Sequence, residues 1–166
     1  MDNDNEIAGD PLAIPHLLPP APEHPATVAQ FAALAAALAG DRACWAPLVR
    51  YDAVSRWYHR LLTGPGYEVW LLSWVPGQGS GRHDHGGSNG LYTVLSGALT
   101  EHAVGRGSRV LTPGSMRVFA PGYVHEVVNA SLEPAASLHI YFPGLTEMRM
   151  YARPHAEPAP RDVLTC

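Results

Sequence analysis

Apolar and polar positions along this chain follow first a helical and then a strand-like pattern. The run from Val28 to Ala39 is almost wholly apolar. Thr27 stands where a helix cap is needed, Gln30 three residues on completes a capping box, and Gly40 supplies the stop. A second short helix is predicted from Asp41, as cap, to Val49. From Tyr51 onward the texture changes to short runs rich in aromatic and β-branched residues. Strands are predicted at Arg56 to Leu62, Tyr67 to Trp74, Arg82 to His85, Leu91 to Ser96 and Ala98 to Val104. Four more are predicted at Ser108 to Leu111, Met116 to Ala120, His125 to Asn129 and Ala136 to Phe142. Glycines and prolines punctuate them, as at Gly64-Pro65-Gly66, Gly86-Gly87 and Gly105 to Gly107. Many short strands at close spacing imply a barrel or a sandwich. No internal repeat interrupts the succession.

Composition sets the limits of this frame. The chain has 166 residues and 46% apolar content, which suits one domain with a real core. Residues 1–25 carry six prolines, which prevents regular helix and predicts an extended arm. The domain is expected over residues 26–150, and the Pro- and Ala-rich residues 151–166 form a tail with little to pack. A formal net charge of −4, with no basic run, gives no surface for nucleic acid. All eleven cations are arginine. Two cysteines, Cys44 and Cys166, are too few and too scattered for a disulfide framework. The acidic start does not resemble a secretory leader, and Phe31 to Leu38 is too short to span a bilayer. A cytoplasmic, monomeric protein without membrane contact is the expectation.

The candidate chemistry lies in His83-Asp84-His85, followed by His125 forty residues after His85. Residues i and i+2 of a strand project to one face, so both imidazoles can reach one ion while Asp84 points away. His125 on a later strand can complete a triangle. Neutral imidazole suits iron, zinc, copper or nickel, whereas magnesium and calcium prefer oxygen. The pair alone is a common pattern. Its setting adds weight: Gly77 and Gly97 flank the first motif, and Gly114, Pro121-Gly122 and His125-x-x-x-Asn129 form a second block. Of the other histidines, His16, His24 and His155 fall in proline-rich arms, His102 on an outer strand, and His59 alternates away from Tyr58 and Arg60.

These two blocks in this order resemble those of the cupin superfamily. The resemblance implies a mainly β fold, the double-stranded β-helix or jelly-roll barrel, here with short N-terminal helices. Within that superfamily, residues 50–145 resemble the cysteine dioxygenase family of thiol dioxygenases. The carriers are Tyr58-His59-Arg60-Leu61-Leu62, Trp74, Arg82 to Ser88, His125 to Asn129 and Ser137-Leu138-His139-Ile140-Tyr141. The resemblance implies oxidation of the L-cysteine thiol to a sulfinate with O2, at Fe(II) held by His83, His85 and His125. It implies Arg60 as the substrate carboxylate clamp, with Tyr58 beside it. Tyr141 and His139 are implied as the catalytic pair, Ser137 as their outer partner and Trp74 as a pocket wall.

Two departures from the family pattern matter. General cupin sites add a glutamate near position 90, and animal cysteine dioxygenases place there a cysteine linked by a thioether to the tyrosine matching Tyr141. This chain has Gly90, so Tyr141 is expected to be unlinked. Without the carboxylate, three neutral imidazoles leave the full charge of the ion to favour a thiolate. The second block also reads Ala120-Pro121-Gly122, one residue off the usual spacing. Three other readings remain open here. One is a 3-mercaptopropionate dioxygenase, a branch that carries glutamine at the Arg60 position. The others are a non-catalytic small-ligand cupin and a zinc-dependent isomerase, since three histidines also suit zinc.

Overall fold

The computed structural model describes residues 24–152. Most of the predicted N-terminal arm and C-terminal tail therefore lies outside the described residues. Helix α1 spans Val28–Gly40, and its start is the predicted capping box: Gln30 N–H donates to Thr27 Oγ1 at 3.2 Å, while Gln30 Oε1 accepts from Thr27 N–H at 3.0 Å. Asp41 caps the short helix α2, Arg42–Trp45, through Cys44 N–H, and one 3-10 turn, Ala46–Leu48, follows. The second predicted helix is thus split, because Pro47 has no amide hydrogen to continue the α pattern.

Among the described residues ten strands follow, which pair antiparallel throughout. They are β1 Tyr58–Gly64, β2 Tyr67–Trp74, β3 Arg82–Asp84, β4 Asn89–Ser96, β5 Leu99–Ala103, β6 Gly107–Leu111, β7 Met116–Phe119, β8 His125–Val128, β9 Ala135–Phe142 and β10 Arg149–Tyr151. One sheet runs in the order β1-β2-β9-β4-β7 and the other β10-β3-β8-β5-β6. Sequence-distant neighbours such as β2–β9 and β3–β8 make this the crossed-over arrangement of a jelly roll rather than a simple meander. The mainly β expectation therefore holds. Strand β10 is the addition that the sequence pattern did not reveal.

The central strands β2, β9 and β4 of the first sheet are buried on both faces, which explains why apolar residues do not simply alternate with polar ones along them. One face carries Val69, Leu71, Leu91, Leu138 and Ile140, which pack under Phe31, Ala35 and Trp45 of the helical segment. Alternation sends the other face inward, where Leu72, Trp74, Tyr92 and Val94 meet Leu99, Leu111 and Val127 of the second sheet. Ser137, His139 and Tyr141 of β9 are buried on this inner side, opposite Val94, Tyr92 and Gly90 of β4. Gly97 turns the chain after β4 with φ +70°, and an added Cβ would meet the backbone of Pro134 and Ala135, so glycine is required there. Among the described residues, no helix is long and apolar enough to cross a membrane.

Candidate metal centre

The barrel interior brings His83, His85 and His125 together. β3 and β8 pair with His83 directly opposite His125, and His85 follows two residues on. All three are buried, and their nearest ring nitrogens lie within 4.8 Å of one another. His83 Nε2 and His85 Nε2 are 3.1 Å apart. His83 Nδ1 lies 3.0 Å from Gly81 O, a contact that requires Nδ1–H and leaves Nε2 as a lone-pair donor. His125 Nδ1 lies 2.9 Å from Glu101 Oε1 and is fixed in the same tautomer. His125 Nε2 is then a buried acceptor with no partner. An unpaired buried acceptor costs about 1–3 kcal/mol, a penalty that coordination removes. Burial pushes His83 down to about 4 and His85 to about 3, with His125 adding to the effect at His83 and both His83 and His125 adding to it at His85. Both rings are held in the neutral form that a cation needs.

A cavity of about 40 Å³ lies over the three rings, walled by Arg56, Trp74, Val127, His139, Tyr141 and Met148 among others. Arg56, Leu72, Tyr141 and Met148 also line an outer cavity of about 280 Å³, where Tyr58, Trp70 and Leu145 complete the mouth. Two features make the inner wall polar. The first is a hydrogen-bonded chain. Trp74 Nε1–H donates to Ser137 Oγ at 2.9 Å, Ser137 Oγ lies 2.9 Å from His139 Nε2, and His139 Nδ1 lies 3.4 Å from the Tyr141 hydroxyl. Burial holds His139 well below its ordinary range and pushes the Tyr141 hydroxyl upward, so the ring is neutral and the phenol keeps its proton. The second is Arg56, whose guanidinium carbon sits 4.6 Å from the centre of the Trp74 ring. Its Nε is buried without a hydrogen-bond partner. Burial lowers its proton affinity, yet arginine remains cationic in such a setting.

Residues 22–154 match the family model for cysteine dioxygenase type I. The chain belongs to the cysteine dioxygenase type I family. The cysteine dioxygenase type 1 proteins of Homo sapiens and Pongo abelii are each 30% identical to it over 132 residues, or 70% of this chain. The chain spans 65% of the length of these relatives. Among solved structures, a double-stranded β-helix protein from Klebsiella pneumoniae superposes with a TM-score of 0.59. It is 23% identical, and the match covers 65% of this chain and 94% of that one. TT1209 from Thermus thermophilus superposes with a TM-score of 0.56 at 27% identity, over 60% of this chain and 93% of that one. The double-stranded β-helix is thereby the fold of this family member.

Among the residues predicted from sequence, Arg60 stands apart from the histidine cluster. Arg60 does not reach the histidines. Its side chain is 54% exposed, pairs with Glu68 at 3.3 Å and leans on Trp70. Arg56, Tyr58 and Arg60 alternate onto one side, but they differ in depth. The backbone pairs Tyr58 with Leu72 and Arg60 with Trp70, and Trp57 O accepts from Ser73 N–H just before. Four residues of extended chain span about 13 Å, so Arg56 stands over Trp74 while Arg60 stands at the rim. Tyr58 sits at the outer mouth and is 64% exposed. Trp74, Ser137, His139 and Tyr141 line or back the inner cavity together.

Three residues at the site escaped the sequence reading: Arg56, Glu101 and Met148. Glu101 is 1% exposed, a charged residue inside the barrel. Burial opposes its ionisation, but hydrogen bonds from His125 and Arg117 and the Arg117 charge prevail, and the carboxyl is held below its ordinary range. Its position carried a readable sign: if His102 faces solvent, alternation obliges Glu101 to face inward.

Proposed function

We propose that this chain is a thiol dioxygenase that converts L-cysteine to cysteine sulfinate with O2, using Fe(II) held by His83, His85 and His125. The observation that carries this reading is the small cavity that three imidazoles, a phenol and a desolvated arginine line together. Bound ferrous iron would favour the thiolate and lift the spin restriction on O2. The reaction balances without further reductant, since both oxygen atoms of O2 enter the sulfinate and the thiol proton is released.

The remaining work belongs to the protein's own side chains. Arg56 binds the substrate carboxylate, replacing Arg60 in that role. Charge-assisted bonds of this kind contribute about 1.5–3 kcal/mol, and the unpaired Arg56 Nε supplies a donor waiting for a partner. Trp74 fixes the guanidinium plane by stacking, which fixes where the carboxylate docks. The Tyr141 hydroxyl donates a hydrogen bond toward the oxidising sulfur, and His139 orients that hydroxyl through the chain to Ser137. Leu72 and Trp74 exclude water from the inner cavity.

The test is aerobic incubation of the iron-loaded protein with cysteine, following oxygen uptake and product mass. One O2 consumed per cysteine, with a mass gain of two oxygen atoms, is the expected result. Fully iron-loaded protein inert toward cysteine would overturn the reading. Faster turnover of 3-mercaptopropionate at saturating oxygen would move the substrate to that acid, which also offers Arg56 a carboxylate.

A further inference from the structure

Behind His125, on the side away from the cavity, lies a compact charged cluster. Glu101 Oε1 accepts from His125 Nδ1–H at 2.9 Å, and Glu101 Oε2 accepts from Arg117 Nε–H at 2.8 Å. Arg117 Nη2 donates to the Tyr123 hydroxyl at 3.2 Å, and that hydroxyl donates back to Glu101 Oε1 at 3.4 Å. The side chains of Glu101 and Arg117 are 1% and 18% exposed, so water does little to screen this set. His83 has only a neutral carbonyl, Gly81 O, behind its Nδ1, and His85 Nδ1 has no partner. The three imidazoles are therefore unequal, and His125 alone leans on a carboxylate.

From this asymmetry we infer that Glu101 and Arg117 are opposed positioning residues that set how strongly His125 donates to the metal. A carboxylate accepting from Nδ1–H pushes electron density toward Nε2 and makes the imidazole a stronger ligand. Arg117 and Tyr123 draw on the same carboxylate and limit that push. Gly90 leaves the inner ligand set without a carboxylate, and Glu101 supplies a tempered one at one remove. The pair is electrically neutral, so the full charge of the ion stays available to an anionic substrate, while His125 is still aimed and strengthened. This inference rests on the reading of the three histidines as iron ligands.

The two charges predict opposite signs, which separates tuning from mere support. Glu101→Gln keeps an acceptor for His125 but removes the charge. It should weaken ferrous iron binding by about 10–100-fold and raise the ferric/ferrous midpoint potential of the iron-loaded protein. Arg117→Met leaves Glu101 unopposed and should lower the midpoint, while Arg117→Lys should return it part of the way. The Glu101→Gln/Arg117→Met double variant keeps the comparison decisive if the Arg117 single variant folds poorly, and its midpoint should match that of Glu101→Gln alone. Midpoints that do not move, or that move in the same direction for both charges, would overturn the inference while leaving the ligand assignment standing. A wild-type chain that takes up no iron would remove the ligand assignment and this inference with it.

Discussion

The ring of Phe119 fills the space that a side chain at position 90 would occupy. Gly90 and Phe119 are direct partners across β4 and β7, and a Cβ built on Gly90 would land on the Phe119 ring. That ring cannot swing away freely, since it is 4% exposed and stacks on His85 with centroids 4.6 Å apart. Gly90 is also the partner of Tyr141 on its other side, so the glycine, the phenyl ring and the phenol form one packed layer beside the histidine cluster. Gly90→Ala should therefore destabilise the fold by about 1–3 kcal/mol, the usual range for overpacking, and should also weaken metal retention by displacing His85. Thermal denaturation and metal titration check both. Phe119→Leu in the same chain should recover part of each loss. Intact-mass measurement of the wild-type protein should find Tyr141 unmodified, because position 90 offers no sulfur.

Two arginines four residues apart predict very different kinetics. Arg56→Ala should raise KM for cysteine by about 10–150-fold, the equivalent of one lost charge-assisted interaction of about 1.5–3 kcal/mol. Arg60→Ala should stay within about twofold, since its exposed pair with Glu68 is of the kind worth less than about 1 kcal/mol. Steady-state kinetics of both variants decide the matter. A large KM effect in the Arg60 variant with none at Arg56 would return the clamp to the rim.

This pair also shows where the sequence was legible. Alternation with period two was enough to set His83 and His85 on one side and Asp84 on the other, and to group Ser137, His139 and Tyr141. It likewise placed Tyr58 and Arg60 together, and the same rule extends to Arg56, which the reading passed over, but face is not depth. How far a strand runs into a barrel depends on its pairing register, and here that register includes an irregularity between Arg60 and Leu62. No local pattern records it. Glu101 was hidden for a different reason: its meaning depends on His125 and Arg117, which lie 24 and 16 residues away and reach it only when β8 joins β5 and the two sheets pack together.

Strand β10 is tied down by a side chain outside the histidine cluster. Asp84, turned away from the side of β3 that carries His83, accepts from Gly86 N–H at 2.8 Å and from the Tyr151 hydroxyl at 2.6 Å. All three β10 residues are exposed, so little apolar burial secures the strand. Tyr151→Phe should loosen it at a cost of about 0.5–1.5 kcal/mol, seen as faster amide exchange confined to β10 and its partners on β3. The preceding segment carries Leu145 and Met148 to the cavity mouth, so KM for substrate should rise modestly as well. Unchanged exchange across β10 would show that the backbone pairing alone holds it.

The Trp74–Ser137–His139–Tyr141 chain is anchored at its far end by a group that can only donate. An indole N–H can only donate, so the Trp74 contact engages one lone pair of Ser137 Oγ, and the arrangement that also uses the serine proton sends it to His139 Nε2. A neutral imidazole that accepts at Nε2 carries its proton on Nδ1 and donates it to the Tyr141 oxygen. The phenolic hydrogen is then free to point into the cavity. Reversal of any link would turn the Tyr141 proton back toward His139 and leave the substrate facing a lone pair. Trp74→Phe removes the donor that anchors this chain, and Ser137→Ala removes the acceptor for it. Each should lower kcat by about 2–10-fold, the effect of one net hydrogen bond, with iron content unchanged. Ser137→Ala leaves Arg56 and its stacking partner in place, so its KM should not move. In Trp74→Phe the smaller ring still supports Arg56, and KM should change less than kcat. Oxygen consumed per sulfinate formed should rise above one in both, as misdirected turnover releases oxidant without product. A Ser137→Ala enzyme with wild-type kcat and tight coupling would show that Tyr141 needs no such guidance.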